Sequence, residues 1–155
     1  MKAILIDSRE MDVREVDIPL EGGDYSQIAE AIGCELFTVA QYLQQDTDTP
    51  DVLFVDDEGL LHNPEHFFSF NGQPLCGNGL ILGTTYDGDS TAPTVTTDEV
   101  CAMVRWLDKH DFRIAHDASV RMMREQAEAL NAAHGGKFVI VTAPDSQEVF
   151  GNQQQ

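Results

Sequence analysis

Two groups of histidines and carboxylates are the first places to look for chemistry in this sequence. His62 and His66 stand four apart with Glu65 between them, a spacing that on a helix would put two imidazoles on one face, as in a zinc-ligand pair. Pro64 interrupts that spacing and the His-Glu-x-x-His pattern is missing, so the segment reads as ordinary loop packing. His110, Asp111, His116 and Asp117 form a denser group, of a kind that binds divalent metals or moves protons. With no further motif element beside them, they read as capping and solvated side chains. Asp46, Asp48 and Asp51 have a spacing faintly like a calcium loop, but lack its glycine and closing glutamate, and Asp87-Gly88-Asp89 is shorter still. No Gly-x-Ser-x-Gly elbow occurs, and Cys76 has no evident cationic neighbour to activate its thiol. Gly77-Asn78-Gly79 has the composition of a backbone anion nest, but its surroundings are acidic and the Lys-Ser/Thr of a phosphate loop is missing. The expectation is therefore no catalytic residue, no metal and no cofactor.

Charge is more informative. The chain of 155 residues carries 27 acids against 9 lysines and arginines, a net −18. Residues 1–60 hold −12 of this, residues 61–99 hold −5, and residues 100–155 only −1. Such a field repels nucleic-acid phosphates and attracts basic surfaces, which argues against direct nucleic-acid binding. Adaptation to high salt fits poorly, because the acidity stops near residue 100. Simple solubility and carboxylate mimicry of phosphates are the readings left.

The elements that must carry these residues follow from hydrophobic periodicity. Lys2–Asp7 predicts an opening strand and residues 12–18 a second one, paired as a hairpin. Residues 25–32 predict a helix with Asp24 as N-cap and Gly33 as C-cap. Strands are expected over residues 35–43 and 52–55, joined by a polar loop and followed by a turn at Asp57-Glu58-Gly59 in which the glycine takes a positive φ. Leu60-Leu61 resumes the apolar pattern. Residues 62–83 read as short strands and tight turns, firmest at residues 80–84. Thr97 caps a helix with Val100, Met103, Val104 and Leu107 on one face, and Asp117 caps a longer one reaching about Ala133. Residues 138–142 predict a late strand, and residues 147–155 a frayed tail.

The fold class expected is α+β, a small mixed or antiparallel sheet with one helix in the core, followed by two helices and a short strand. Residues 1–95 form the acidic core and residues 96–155 a helical extension packed on it, with Arg105, Lys109, Arg113, Arg121 and Arg124 either folded back onto the acidic part or forming a separate contact face. The three widely spaced cysteines, Cys34, Cys76 and Cys101, suggest buried thiols in a reducing compartment rather than a disulfide framework or zinc ribbon. No apolar run reaches the roughly 18 residues a membrane span needs, and the opening residues are too short an apolar stretch for a cleaved leader. A cytoplasmic location is expected.

Three stretches together resemble a known family. They are Lys2-Ala3-Ile4-Leu5-Ile6-Asp7, then Val52-Leu53-Phe54-Val55-Asp56-Asp57-Glu58-Gly59-Leu60-Leu61, and finally Phe67-Phe68 followed by Gln73-Pro74-Leu75-Cys76-Gly77-Asn78-Gly79-Leu80-Ile81-Leu82-Gly83-Thr84. In order and spacing they are similar to domain of unknown function 3846 over residues 1–108. The resemblance implies a protein of bacteria, phages and other mobile elements, and carries no catalytic residue across.

The function expected is that of a small acidic binding protein of mobile-element type. It would inhibit a host nucleic-acid-binding or defence complex by setting carboxylates where phosphates lie. The partner-facing acids are Asp46, Asp48, Asp51, Asp56, Asp57, Glu58, Asp87 and Asp89, and the partner is a basic protein surface, with neither nucleic acid nor membrane bound directly. The alternative is a non-enzymatic regulatory or ligand-binding module whose acidity serves solubility alone.

Overall fold

A strand covered on both faces needs apolar residues at every position rather than at alternate ones, and Lys2–Asp7 (β1) is such a strand, buried from Ala3 onward. The structure, a computed structural model, describes residues 1–20, 25–133 and 135. After β1 come β2 (Asp12–Asp17), α1 (Ser26–Ile32), β3 (Phe37–Tyr42), β4 (Val52–Asp56), a 3-10 turn at Gly59–His62, β5 (Phe67–Phe70), β6 (Gln73–Cys76), β7 (Gly79–Thr84), β8 (Ser90–Thr91), α2 (Thr97–Met103), β9 (Val104–Leu107) and α3 (Lys109–Ala133). The fold is α+β, with two sheets built from antiparallel pairs. One has the order β2-β1-β7-β4-β3 with β8 added to β7, and the other the order β6-β5-β9.

Side-chain alternation sorts the core into layers. Ala3 and Leu5 of β1, with Leu80 and Leu82 of β7, face α1 and pack on Ile28 and Ile32. Ile4, Ile6 and Ile81 point the other way, onto Phe68, Phe70 and Leu75 of the second sheet and Val100 of α2. A slip of one residue in β1 would exchange the two sets, so the register is strongly fixed. On the far side of the second sheet, Phe67 stacks on Phe112 of α3 with ring centroids 4.4 Å apart. That contact docks the long helix.

The register also defines two ends of the larger sheet. Ile6 and Val55 both pair with Gly79, and Phe37 with Asp56; this is called the upper end. At the lower end Val52 pairs with Leu82 and Tyr42, and Thr84 with Ser90. The two ends are on the order of 15 Å apart along β4.

Several sequence expectations need correction. The helix from Thr97 stops at Met103, and Val104–Leu107 is a strand paired with β5. Its residues alternate: Val104 and Trp106 pack into the core while Arg105 is exposed, so tertiary pairing overrides the helical reading. The N-cap of α2 is Thr96, whose side chain accepts from the Glu99 amide. α3 begins at Lys109 rather than Asp117, because Asp108 Oδ1 accepts the Asp111 amide at 2.7 Å and caps the first turn. Gly59 does not take a positive φ. The turn is closed instead by Asp56 Oδ1 accepting the Glu58 amide at 2.9 Å, and Leu60 and Leu61 lie in the 3-10 turn. Gly33 does end α1 in the left-handed region, φ 87°. The Asp24 cap, the strand at residues 138–142 and the tail at residues 147–155 lie outside the described residues.

Candidate functional site

At the upper end of the larger sheet three separate stretches of chain converge. They are the turn after β1, residues 56–66 after β4, and the turn between β6 and β7. Gly77, at φ 75°, lets that last turn close, and its neighbours then act as a clasp. Ser8 donates its amide to Asn78 Oδ1 at 3.1 Å and its hydroxyl to the Gly77 carbonyl. The Gly77 amide donates to the carbonyl of His66 at 2.8 Å. The Gly-Asn-Gly triplet thus spends its polar groups on joining segments far apart in sequence, which leaves the anion-nest reading without support.

Around this clasp lie three adjoining hollows. The first, about 360 Å³, is polar and is lined by Arg9, Asp56, His62, Asn63, Glu65, His66 and their neighbours. His62 sits between two carboxylates, Nδ1 3.8 Å from Asp56 and Nε2 3.5 Å from Glu58. The second, about 350 Å³, shares Asp56 and Gly59 with the first. Its walls include Leu60, Leu61, Pro74, Leu75 and Phe112, and Asp56, Asp57 and Glu58 stand among its lining residues with no lysine or arginine among them. The third, about 410 Å³, shares Glu65 and His66 with the first and adds Ser8, Met11, Trp106, Asp108 and Asp111. All three volumes fall in the range of small-ligand and side-chain pockets.

Cys76 lines the second hollow, but burial, and then the charge of Asp56, pushes its thiol up to about 12. A thiol held protonated in this way is a poor nucleophile. Cys34 is pushed up to about 11 for the same two reasons. His116, another lining residue, is buried and stacked on Phe112 at 5.4 Å, while His110 is exposed. Among the described residues no three His, Cys, Asp or Glu side chains group so as to hold a metal. The upper end therefore offers imidazoles and carboxylates beside apolar walls, a chemistry suited to holding a cationic group.

The acids singled out in sequence separate in space. Asp56, Asp57 and Glu58 are at the upper end, on the hollows. Asp46 and Asp48, in the loop entering β4, and Asp87 and Asp89, in the loop after β7, are exposed at the lower end. Asp51 is not on the surface at all: it is fully buried. Its carboxylate accepts from the Thr94 amide at 3.0 Å, the Thr94 hydroxyl at 2.8 Å, the Val95 amide at 3.0 Å and Gln44 Nε2 at 3.1 Å. The expectation of a partner-facing Asp51 is corrected by this inward staple. Sequence reasoning missed Arg9 as a site member and set His62, Glu65 and His66 aside as loop packing, whereas all four line the first hollow. The Glu58–His62 spacing of four was a legible signal for that part of it.

A match to the family described as Domain of unknown function (DUF3846) spans residues 1–105. The chain belongs to this family. In this DUF3846 protein the matched residues run from β1 into β9 and include every residue lining the first hollow. The second and third hollows are completed by residues of and just before α3, outside that match. No curated protein and no solved structure matches the chain. Among the described residues no helix is long and apolar enough to cross a membrane.

Proposed function

We propose that this DUF3846 protein is a binding protein whose upper end receives a basic segment of a protein partner. One observation carries the reading. The second hollow joins apolar walls to Asp56, Asp57 and Glu58, without a lysine or arginine among its described lining residues. A lysine or arginine side chain has the matching shape, an apolar stem with a charged head. Its head would meet carboxylates at the low-dielectric margin of a cavity, where attraction exceeds that on an open surface. In the finer form of the proposal the partner is a nucleic-acid-binding or defence complex of a host, and these carboxylates take the place of phosphates.

A second reading rests on a different observation. The exposed acids Asp46, Asp48, Asp87 and Asp89 lie at the opposite end of the sheet, so the carboxylates do not form a single ridge. Acidity spread over both ends serves solubility, and the hollows then serve a small ligand.

Retention experiments with the immobilised full chain separate the two. The binding reading expects a basic protein to be retained at low salt, released at high salt and displaced by DNA or RNA. It also expects loss of that protein with Asp56→Asn/Asp57→Asn/Glu58→Gln, but not with Asp46→Asn/Asp48→Asn/Asp87→Asn/Asp89→Asn. Equal retention by both variants, or a complex indifferent to salt, would refute the upper-end site.

A further inference from the structure

The third hollow, about 410 Å³, takes no part in the reading above, because none of Asp56, Asp57 and Glu58 is among its described lining residues. Its floor is apolar. Phe67 is almost wholly buried, and Trp106, half-buried, packs against the core and also lines the hollow. Met11 stands at the rim, 65% exposed, on a backbone at φ 52° that is uncommon away from glycine. Three exposed carboxylates complete the rim: Glu65 from the segment before β5, Asp108 just before α3 and Asp111 in its first turn. No lysine or arginine is among the described lining residues.

Two observations select a ligand. The carboxylates share the hollow with His66, yet among the described residues no three His, Cys, Asp or Glu side chains group so as to hold a metal. Negative charge is thus spread round the opening instead of focused on one point, which suits a large, diffuse cation better than a compact metal ion. The apolar lining is the second observation. Indole is the best side-chain partner for a cation, and a thioether is soft and polarisable. A methylated ammonium carries its charge under an apolar surface and has no N–H to satisfy.

We propose that the third hollow binds a small quaternary ammonium compound of the choline type, its head group against Trp106 with the carboxylates around it. The start of α3 opposes this with about half a positive charge, which Asp108 and Asp111 outweigh. Asp108 Oδ1 also takes up the Asp111 amide there, at 2.7 Å. The field of a chain at −18 draws in a free cation and disfavours a ligand with an anionic tail. Choline is therefore preferred over glycine betaine, which has the same head group with a carboxylate attached.

Trp106 is the only tryptophan in the chain, so its fluorescence reports on this hollow directly. The full chain titrated with choline chloride at constant ionic strength should show a saturable change in emission, half complete at about millimolar concentration or below. Saturation-transfer NMR on the choline methyl protons reads the same binding without the fluorophore. Glycine betaine, and 3,3-dimethyl-1-butanol as the neutral isostere, should each bind at least about fivefold more weakly. Asp108→Asn/Asp111→Asn should weaken choline by a similar factor with unchanged circular dichroism, because asparagine keeps the helix cap. Asp56→Asn/Asp57→Asn/Glu58→Gln should change it by less than about twofold, so this proposal and the basic-segment reading fail separately. No saturable response by either method overturns the proposal. So does equal binding of the neutral isostere, or a loss of choline with the Asp56 variant and not with the Asp108 variant.

Discussion

Asp51 shows how much one carboxylate can organise. Four donors from two segments meet on it: Gln44 from the loop before β4, and the Thr94 amide, Thr94 hydroxyl and Val95 amide from the segment leading into α2. Removing the acceptor leaves two backbone amides without their partner in a buried place. Asp51→Ala is expected to cost about 3 kcal/mol, read from urea unfolding, and Asp51→Asn less, because it keeps one acceptor oxygen. Asp7 allows a test by pH. Burial alone would raise its pKa, but hydrogen bonds from the Glu10 amide and the Arg14 guanidinium outweigh that and hold it below the ordinary 3.8. A carboxylate depressed in the folded state contributes stability above its unfolded pKa and loses it as pH falls through the folded value. Wild type should therefore exceed Asp7→Asn in stability at neutral pH, and the gap should close below about pH 4 in acid titrations followed by fluorescence or circular dichroism. At this scale the sequence was only partly legible. Asp56-Asp57-Glu58 announced a turn and a charged spot, whereas Asp46-x-Asp-x-x-Asp51 gave no sign that its last member points inward. Burial of a charged side chain depends on donors supplied by residues more than forty positions away, and no local pattern carries that.

Elements were legible where one face or two consistent faces were buried. The fully apolar runs of β1 and β7 announced central strands, and α1 announced itself through Ile28, Ala29, Ile32 and its Gly33 cap. Val104–Leu107 misled because Val104 and Leu107 fit a helix face as well as a strand, and only the open edge of β5 decides between them. Gly83, near the end of β7, is more informative than it looked. A Cβ on Gly83 would lie 2.5 Å from the carbonyl oxygen of Ala92, backbone that cannot step aside without breaking the β7–β8 pairing. Gly83→Ala should destabilise the fold by about 2 kcal/mol or more, seen as a lowered thermal midpoint. The matching control is Gly88→Ala, where the added carbon meets no atom within 4 Å and only the strain of φ 90° is felt.

For the whole molecule, the net charge sets the behaviour. Self-repulsion at −18 opposes the compact state and is relieved by screening. The thermal midpoint should rise by several degrees, roughly, between low salt and 0.5 M sodium chloride; a midpoint that falls would mean that ion pairs such as Arg14–Asp7 outweigh the repulsion. The candidate site was legible in its parts but not as an assembly. Arg9, the 56–66 segment and the Gly77 turn are distant in sequence, and the strand order alone makes them neighbours.

That strand order has a consequence for the chain as it leaves the ribosome. β7 is the keystone between two hairpins, β1–β2 on one side and β3–β4 on the other, yet it is made after both of them. At ordinary rates of synthesis the earlier hairpins wait on the order of a few seconds, each with an apolar edge open to whatever strand arrives. Acids within those waiting hairpins, at Asp12, Glu15, Asp17 and Asp56, oppose pairing between nascent copies on neighbouring ribosomes. The excess of negative charge is thus also a provision for the unfinished chain.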